Sequence, residues 1–152
     1  MEKALVVIDI QNDITKNYKE IIDNINRSID WAVKNNIHVV YIRHYNLSAG
    51  TRTFKPNTPG SELVSDLKIV SDHIFIKSKG NALTSEEFAN FITEHQIGEF
   101  YITGADAVAW NQRLIIYARQ IIKLMSYLIV LQVMIKRRLM KCFIIMRVKA
   151  VS

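Results

Sequence analysis

The chain has 152 residues, 49% of them hydrophobic and 22% charged, enough for one domain that buries roughly two-thirds of its unfolded surface. A single Cys excludes an internal disulfide framework, and acid at Glu2 with Asp9 interrupting the early apolar run argues against a secretory leader, so a cytoplasmic protein is expected. The net charge of +6 would ordinarily point to nucleic acid or a membrane surface, but all of the excess lies after residue 109, so no nucleic-acid partner is expected for the main domain.

Residues 3–10 (KALVVIDI) form a short apolar, β-branched run ending in Gln11-Asn12-Asp13, the pattern of a central strand buried on both faces in a parallel sheet. Over 17–35, the residues Ile21, Ile22, Ile25, Ile29, Trp31 and Ala32 recur at mostly helical spacing, with Asn35-Asn36 as the stop. A second strand is predicted over 37–42 and a third from 73 to 76. Between them residues 44–60 contain Ser48, Gly50, Pro56, Pro59 and Gly60, a loop long enough to suggest function or mobility. Thr84 or Ser85 should cap a helix whose first turn holds Glu86 and Glu87 and which runs to about Gln96. Gly98 leads into a fourth strand, 99–103, that ends at Gly104. This alternation predicts a three-layer α/β/α, Rossmann-like parallel sheet with active groups at the carboxyl ends of the strands.

Asp9, Lys77 and the segment after Gly104 all fall at such ends. Taken singly, Asp9 reads as a cap for the following turn and Lys77 as a surface lysine with its stem on the sheet. Taken together, an acid, an ammonium and a reactive position would converge on one rim.

Three segments now bear a resemblance to a family. VVIDIQND contains Asp9 and Gln11; IKSKGNAL contains Lys77, with Lys79 as an alternative register; YITGADAVAW has the form of a strand, a Gly and a nucleophile elbow. Together they resemble the isochorismatase-like cysteine hydrolases, which include nicotinamidases and N-carbamoylsarcosine amidohydrolases, over residues 3 to about 109. The resemblance implies hydrolysis of a small-molecule amide or related C–N bond without a cofactor. It makes Asp9 the general base and Lys77 the charge-stabilising group. It puts a Cys nucleophile at position 110, a cis peptide between Ala105 and Asp106, and an oxyanion hole at the N–H groups of Asp106 and residue 110. Such a trio is chemically coherent, because Asp accepts the thiol proton while Lys and a helix N-terminus favour thiolate and oxyanion. Gln11 and His44 are the expected substrate contacts. Some members of the family bind a metal through Asp and His residues, but His44 is the one His near that place, so no metal is expected. His38, His73 and His95 receive no role. Homo-oligomers occur among proteins of this fold, and one is allowed here.

Position 110 is Trp, which cannot attack a carbonyl. Nucleophile removal in other hydrolases costs on the order of a million-fold in turnover, and Cys142 lies outside any matching motif, where a buried free thiol is the default. The composition changes at the same point. Residues 1–109 carry 11 Lys and Arg against 14 Asp and Glu, net −3, whereas residues 110–152 carry nine basic residues and no acid, net +9, and nothing after Asp106 is Asp, Glu, Gly or Pro. Two explanations compete: a tolerated substitution in a pseudoenzyme, or a change of reading frame. A base lost after the TG of the Trp110 codon accounts for both observations. Restoring a pyrimidine there gives Cys, while Trp110-Asn111, Met134-Ile135 and Met140-Lys141 are then forced to Glu, Asp and Glu. The chain therefore divides into an incomplete hydrolase domain, 1–109, and an aberrant basic, apolar segment, 110–152.

Within that segment residues 121–135 (IIKLMSYLIVLQVMI) precede Lys136-Arg137-Arg138. The run is shorter than the roughly 20 apolar residues of a membrane span. A basic amphipathic helix on a membrane surface is conceivable, but a helix docked on the sheet is favoured. Loss of the final strand-helix units should leave an open sheet edge and marginal stability. A non-catalytic binding or regulatory protein is the alternative to an inactive hydrolase.

Overall fold

A computed structural model describes residues 1–104 and, beyond them, the strands Leu128–Ile129, Gln132–Ile135 and Ile144–Val151. Strand β1 (Glu2–Ile8) is buried from Ala4 onward. Successive side chains of a strand point to opposite faces. Ala4, Val6 and Ile8 accordingly enter one core cluster, while Leu5 and Val7 enter the other. Strand β2 (His38–His44) divides in the same way, with Val40 and Ile42 on the first face and Val39 and Tyr41 on the second.

Each face is covered by one helix. A short helix α1 (Asn12–Thr15) is followed by α2 (Lys19–Lys34), which buries Ile21, Ile22, Ile25, Ile29 and Ala32 against Leu5, Val7 and Tyr41. Beyond strand β3 (Ile74–Lys77), helix α3 (Glu86–Glu94) covers the opposite face with Phe88, Phe91 and Ile92. Strand β4 (Ile97–Gly104) then returns to pair with β1. The order β3-β2-β1-β4 is parallel throughout, which is the expected three-layer α/β/α arrangement.

Several boundaries differ from the sequence expectation for local reasons. The first strand ends at Ile8, since Asp9 adopts a φ of 58° and turns the chain out of the sheet. The helix predicted over 17–35 is preceded by the separate turn α1. Ser85 stands at the N-cap of α3, but no side-chain cap bond forms there, so Glu86 and Glu87 provide the favourable first-turn charge. The loop after β2 extends to residue 73 and is not purely surface chain, because Val64 and Leu67 are buried in the α2 core.

The tail departs most from expectation. Of the segment 121–135 expected as a helix, residues 121–127 and 130–131 lie outside the described residues, and the rest form β5 (Leu128–Ile129) and β6 (Gln132–Ile135), both antiparallel to β7 (Ile144–Val151). β7 in turn pairs antiparallel with β4, in the register Glu99↔Lys149 to Ile102↔Met146, so the sheet edge expected to lie open is covered. The sequence explains this: Arg147 and Lys149 alternate with Met146, Val148 and Ala150, a strand period and not a helical one. No helix among the described residues is long and apolar enough to cross a membrane.

Gly104 closes β4 directly against β1. A Cβ there would lie 2.6 Å from the Ile8 carbonyl oxygen, whereas one at Gly98 would meet the flexible Met1 side chain. Gly104→Ala is expected to cost about 1–3 kcal/mol by forcing apart two paired strands, and Gly98→Ala clearly less, as measured by urea unfolding of the two variants side by side.

Candidate active site

The left-handed turn at Asp9 presents its carboxylate at the carboxyl end of the sheet, with its backbone N–H donating to the Ile42 carbonyl at 2.9 Å. Lys77 ends β3, two strands away, and its four-carbon stem spans β2 so that Nζ donates to Asp9 Oδ2 at 2.9 Å. Both residues are buried, at 8% and 4% exposure. Lys79 is exposed, so of the two lysines it is Lys77 that meets Asp9. At this depth the pair's attraction has to offset the desolvation of two charges, so its net contribution to stability is small. Removing one partner is a different matter, since the other charge is then stranded.

The residues after Asp9 have another task. Gln11 is fully buried, and its amide is engaged by the backbone: Nε2 donates to the carbonyls of Ser61 (2.7 Å) and His44 (3.0 Å), and Oε1 accepts from the His44 N–H (2.7 Å). The expected substrate contact is thus a positioning residue that ties the end of β2 to the loop. Asn12 Nδ2 donates to the Pro59 carbonyl, and Asp13 Oδ2 accepts from the Phe54 N–H. The Asn12 and Asp13 anchors were not predicted from sequence. Their signal was the run of three polar side chains immediately after a buried strand.

The loop so held bears on His44. Phe54 sits edge-on to the His44 ring, centroids 5.5 Å apart, in a left-handed conformation with φ 56° that costs roughly 1–2 kcal/mol for a residue with a Cβ. His44 is the register partner of Lys77, and its Nδ1 is buried without a hydrogen-bond partner among the described residues. Burial, and after it the Lys77 ammonium, hold the imidazole below its ordinary value of 6.5. A neutral His beside an acid and an ammonium can accept or donate a hydrogen bond to a polar ligand.

Among the described residues, Asp9 and His44 are not joined by a third ligand into a metal-binding group. The loop over 45–72 contains no second His, and the Lys77 ammonium occupies the Asp9 carboxylate that a cation would need. Ala105, Asp106, Trp110 and Cys142 lie outside the described residues, and no cis peptide occurs among the described ones. Strand β4 ends at the same rim as β1, since Gly104 is the register partner of Ile8, the residue before Asp9.

Two outcomes follow from this geometry. Lys77→Ala should destabilise the fold by about 3–5 kcal/mol, whereas Asp9→Leu/Lys77→Met, which removes both charges, should lose much less; a double-mutant cycle in urea checks the difference. For His44, both causes favour the neutral ring in the fold, so the unfolded chain binds more protons. Its contribution is complete above 6.5 and is lost as pH falls through that value toward the lower folded one. Unfolding free energy measured from pH 7.5 to 5.5 should fall less steeply in His44→Gln than in the parent.

Comparison with known proteins places this architecture. The fold is similar to that of N-carbamoylsarcosine amidase from Thermoplasma acidophilum (19% identity, TM-score 0.59, 68% of each chain covered). It is likewise similar to the pyrazinamidase of Pyrococcus horikoshii (22% identity, TM-score 0.57, 68% of this chain and 70% of that one). A candidate isochorismatase of Burkholderia xenovorans LB400 is 30% identical, with a TM-score of 0.55 over 63% of this chain and 50% of that one. The chain therefore spans about half to two-thirds of the length of such relatives. No curated protein matches it. The family model for the isochorismatase domain matches residues 3–108, and the chain belongs to the isochorismatase family.

Proposed function

We propose that the chain derives from a hydrolase of a small amide or related C–N bond that works through a Cys-Asp-Lys set without a cofactor, and that the chain as written lacks this activity because Trp110 stands at the nucleophile position. The observation that carries the reading is the buried Asp9–Lys77 pair, 2.9 Å apart, at the rim that β4 reaches through Gly104. The likeness to two solved amidases supports the amide class.

In the proposed reaction Asp9 takes the proton of a thiol at position 110, and the thiolate attacks the substrate carbonyl carbon. Lys77 faces the Asp9 carboxylate as a countercharge at hydrogen-bond distance. The N–H groups of Asp106 and residue 110 hold the oxyanion. As the C–N bond breaks, the amine leaves with the proton that Asp9 held, and water, deprotonated by the same carboxylate, releases the acyl group from sulfur. Trp110 can start none of this.

A change of reading frame at codon 110 is the proposed origin of both the Trp and the acid-free tail. The chain as written should give no turnover of nicotinamide or simple amides, while a frame-restored gene with Cys at 110 should gain on the order of a million-fold and lose it again on Asp9→Asn. Nucleotide sequence across codons 105–125 is the companion measurement. An intact frame encoding Trp110 in independent isolates would overturn the frame change. It would favour a non-catalytic binding protein that keeps the Asp9–Lys77 pocket. Turnover by the unaltered chain would overturn the proposed loss of activity.

A further inference from the structure

At the opposite, amino-terminal end of the sheet, a second group of polar side chains converges that the hydrolytic reading does not use. We propose that Glu2, His38 and His95 form a binding site for one divalent transition-metal ion of the zinc type. Glu2 opens β1, His38 opens β2 and His95 is the C-cap of α3, so three segments distant in sequence each supply one ligand. The three ligand atoms all lie within 4.8 Å of one another. Glu2 Oε2 is 2.5 Å from His38 Nε2 and 3.7 Å from His95 Nδ1. Ligands of a tetrahedral ion bound at about 2.0–2.1 Å lie roughly 3.3 Å apart. These two separations lie on either side of that value.

The backbone holds this arrangement in place. The Glu2 N–H donates to the Gln96 carbonyl at 3.2 Å, the His95 N–H donates to the Phe91 carbonyl at 3.1 Å, and Gln96 turns the chain into β4 with a φ of 48°. Phe91 provides an apolar wall, with its ring 4.4 Å from that of His95 and 5.8 Å from that of His38. Glu2 and His95 remain partly open to solvent, with side-chain exposures of 56% and 37%, which leaves an entry path. His73 stands 6.0 Å from His95, ring to ring.

The donor chemistry selects the ion. Two imidazoles and one carboxylate suit zinc and its neighbours, whereas magnesium and calcium take oxygen ligands. Without a metal the Glu2 carboxylate is held below its ordinary range, first by its hydrogen bond to His38. Protons compete for the same set. The titratable groups facing the site are Glu2, His38, His95, His73 with Asp72, and the amino group of Met1. A protonated ring nitrogen cannot ligate, so binding the ion displaces any proton held there. Joining β1, β2 and the α3–β4 junction, a bound ion acts as a staple of the fold, unlike a group in the reaction at the far rim.

The test uses the tag-free full chain, with Co²⁺ as a spectroscopic probe, Zn²⁺ as competitor and calorimetry for stoichiometry. One ion per chain is expected, with visible absorption from the bound Co²⁺ that Zn²⁺ removes, and a Zn²⁺-dependent rise in Tm. His38→Gln and His95→Gln should each weaken binding at least a hundredfold and abolish the Tm shift. Glu2→Gln, an exposed and nearly isosteric change, should weaken it with the apo Tm little altered. His44→Gln, at the opposite end of the sheet, should leave it unchanged. The proposal is overturned if the folded chain takes up neither ion at millimolar concentration, or if binding survives the two His variants and is lost in His44→Gln.

Discussion

Strand β1 is buried on both faces, and this sets the terms for everything packed around it. Its alternating residues seed two separate cores, so a helix is needed on each side, and its two edges must both be paired before its backbone groups are satisfied. β2 and β4 meet that demand in parallel. A strand so enclosed can bear functional groups only where it leaves the sheet. Asp9 marks one such exit and Glu2 the other, and the two polar groups of side chains occur at these two ends.

The run from Asp9 to Asp13 shows how a few residues can serve both site and scaffold. Asp9 binds Lys77; Gln11, Asn12 and Asp13 then fix three points of the long loop after β2. The loop cannot drift without breaking these bonds, of which the buried one from the Gln11 amide to the Ser61 carbonyl costs about 1–3 kcal/mol if left unmet. The buried ion pair adds little net stability, yet it penalises any packing that separates β1 from β3 at that rim. It therefore specifies geometry more than it stabilises the fold.

Much of this was legible in the sequence because the relevant signals are local. Continuous apolar β-branched runs gave the parallel strands, the 3.6-residue spacing of Ile21 to Ile29 gave α2, and the placement of Asp9 and Lys77 at strand ends gave their convergence on one rim. What escaped depends on tertiary closure. Gln11 read as a ligand contact because nothing local says that Ser61, 50 positions later, returns to meet its amide. His38 and His95 carried no pattern, since the convergence of three strand and helix ends exists only once the sheet is assembled. Where a helix was expected over 121–135, the described residues 128–129 and 132–135 are strand, because their apolar content has no clean helical period and a neighbouring strand edge outweighs a weak helical preference.

That last point bears on how the tail is to be understood. Ladder hydrogen bonds are made by backbone groups, so an unpaired edge of β4 accepts any neighbouring segment that lacks Pro, alternates acceptably and can extend. Residues 144–151 meet these conditions whatever reading frame produced them. Pairing of β7 with β4 therefore carries no information about whether the segment descends from the family's own late strands, which a parallel α/β sheet of this kind would be expected to add in parallel. A side-chain constellation is far more demanding than a ladder. The Asp9–Lys77 pair with its Gln11-anchored loop needs particular residues at five or more separated positions, and it is intact in the described residues. Across residues 1–104 the side chains agree with one another in a way that ladder pairing alone does not require.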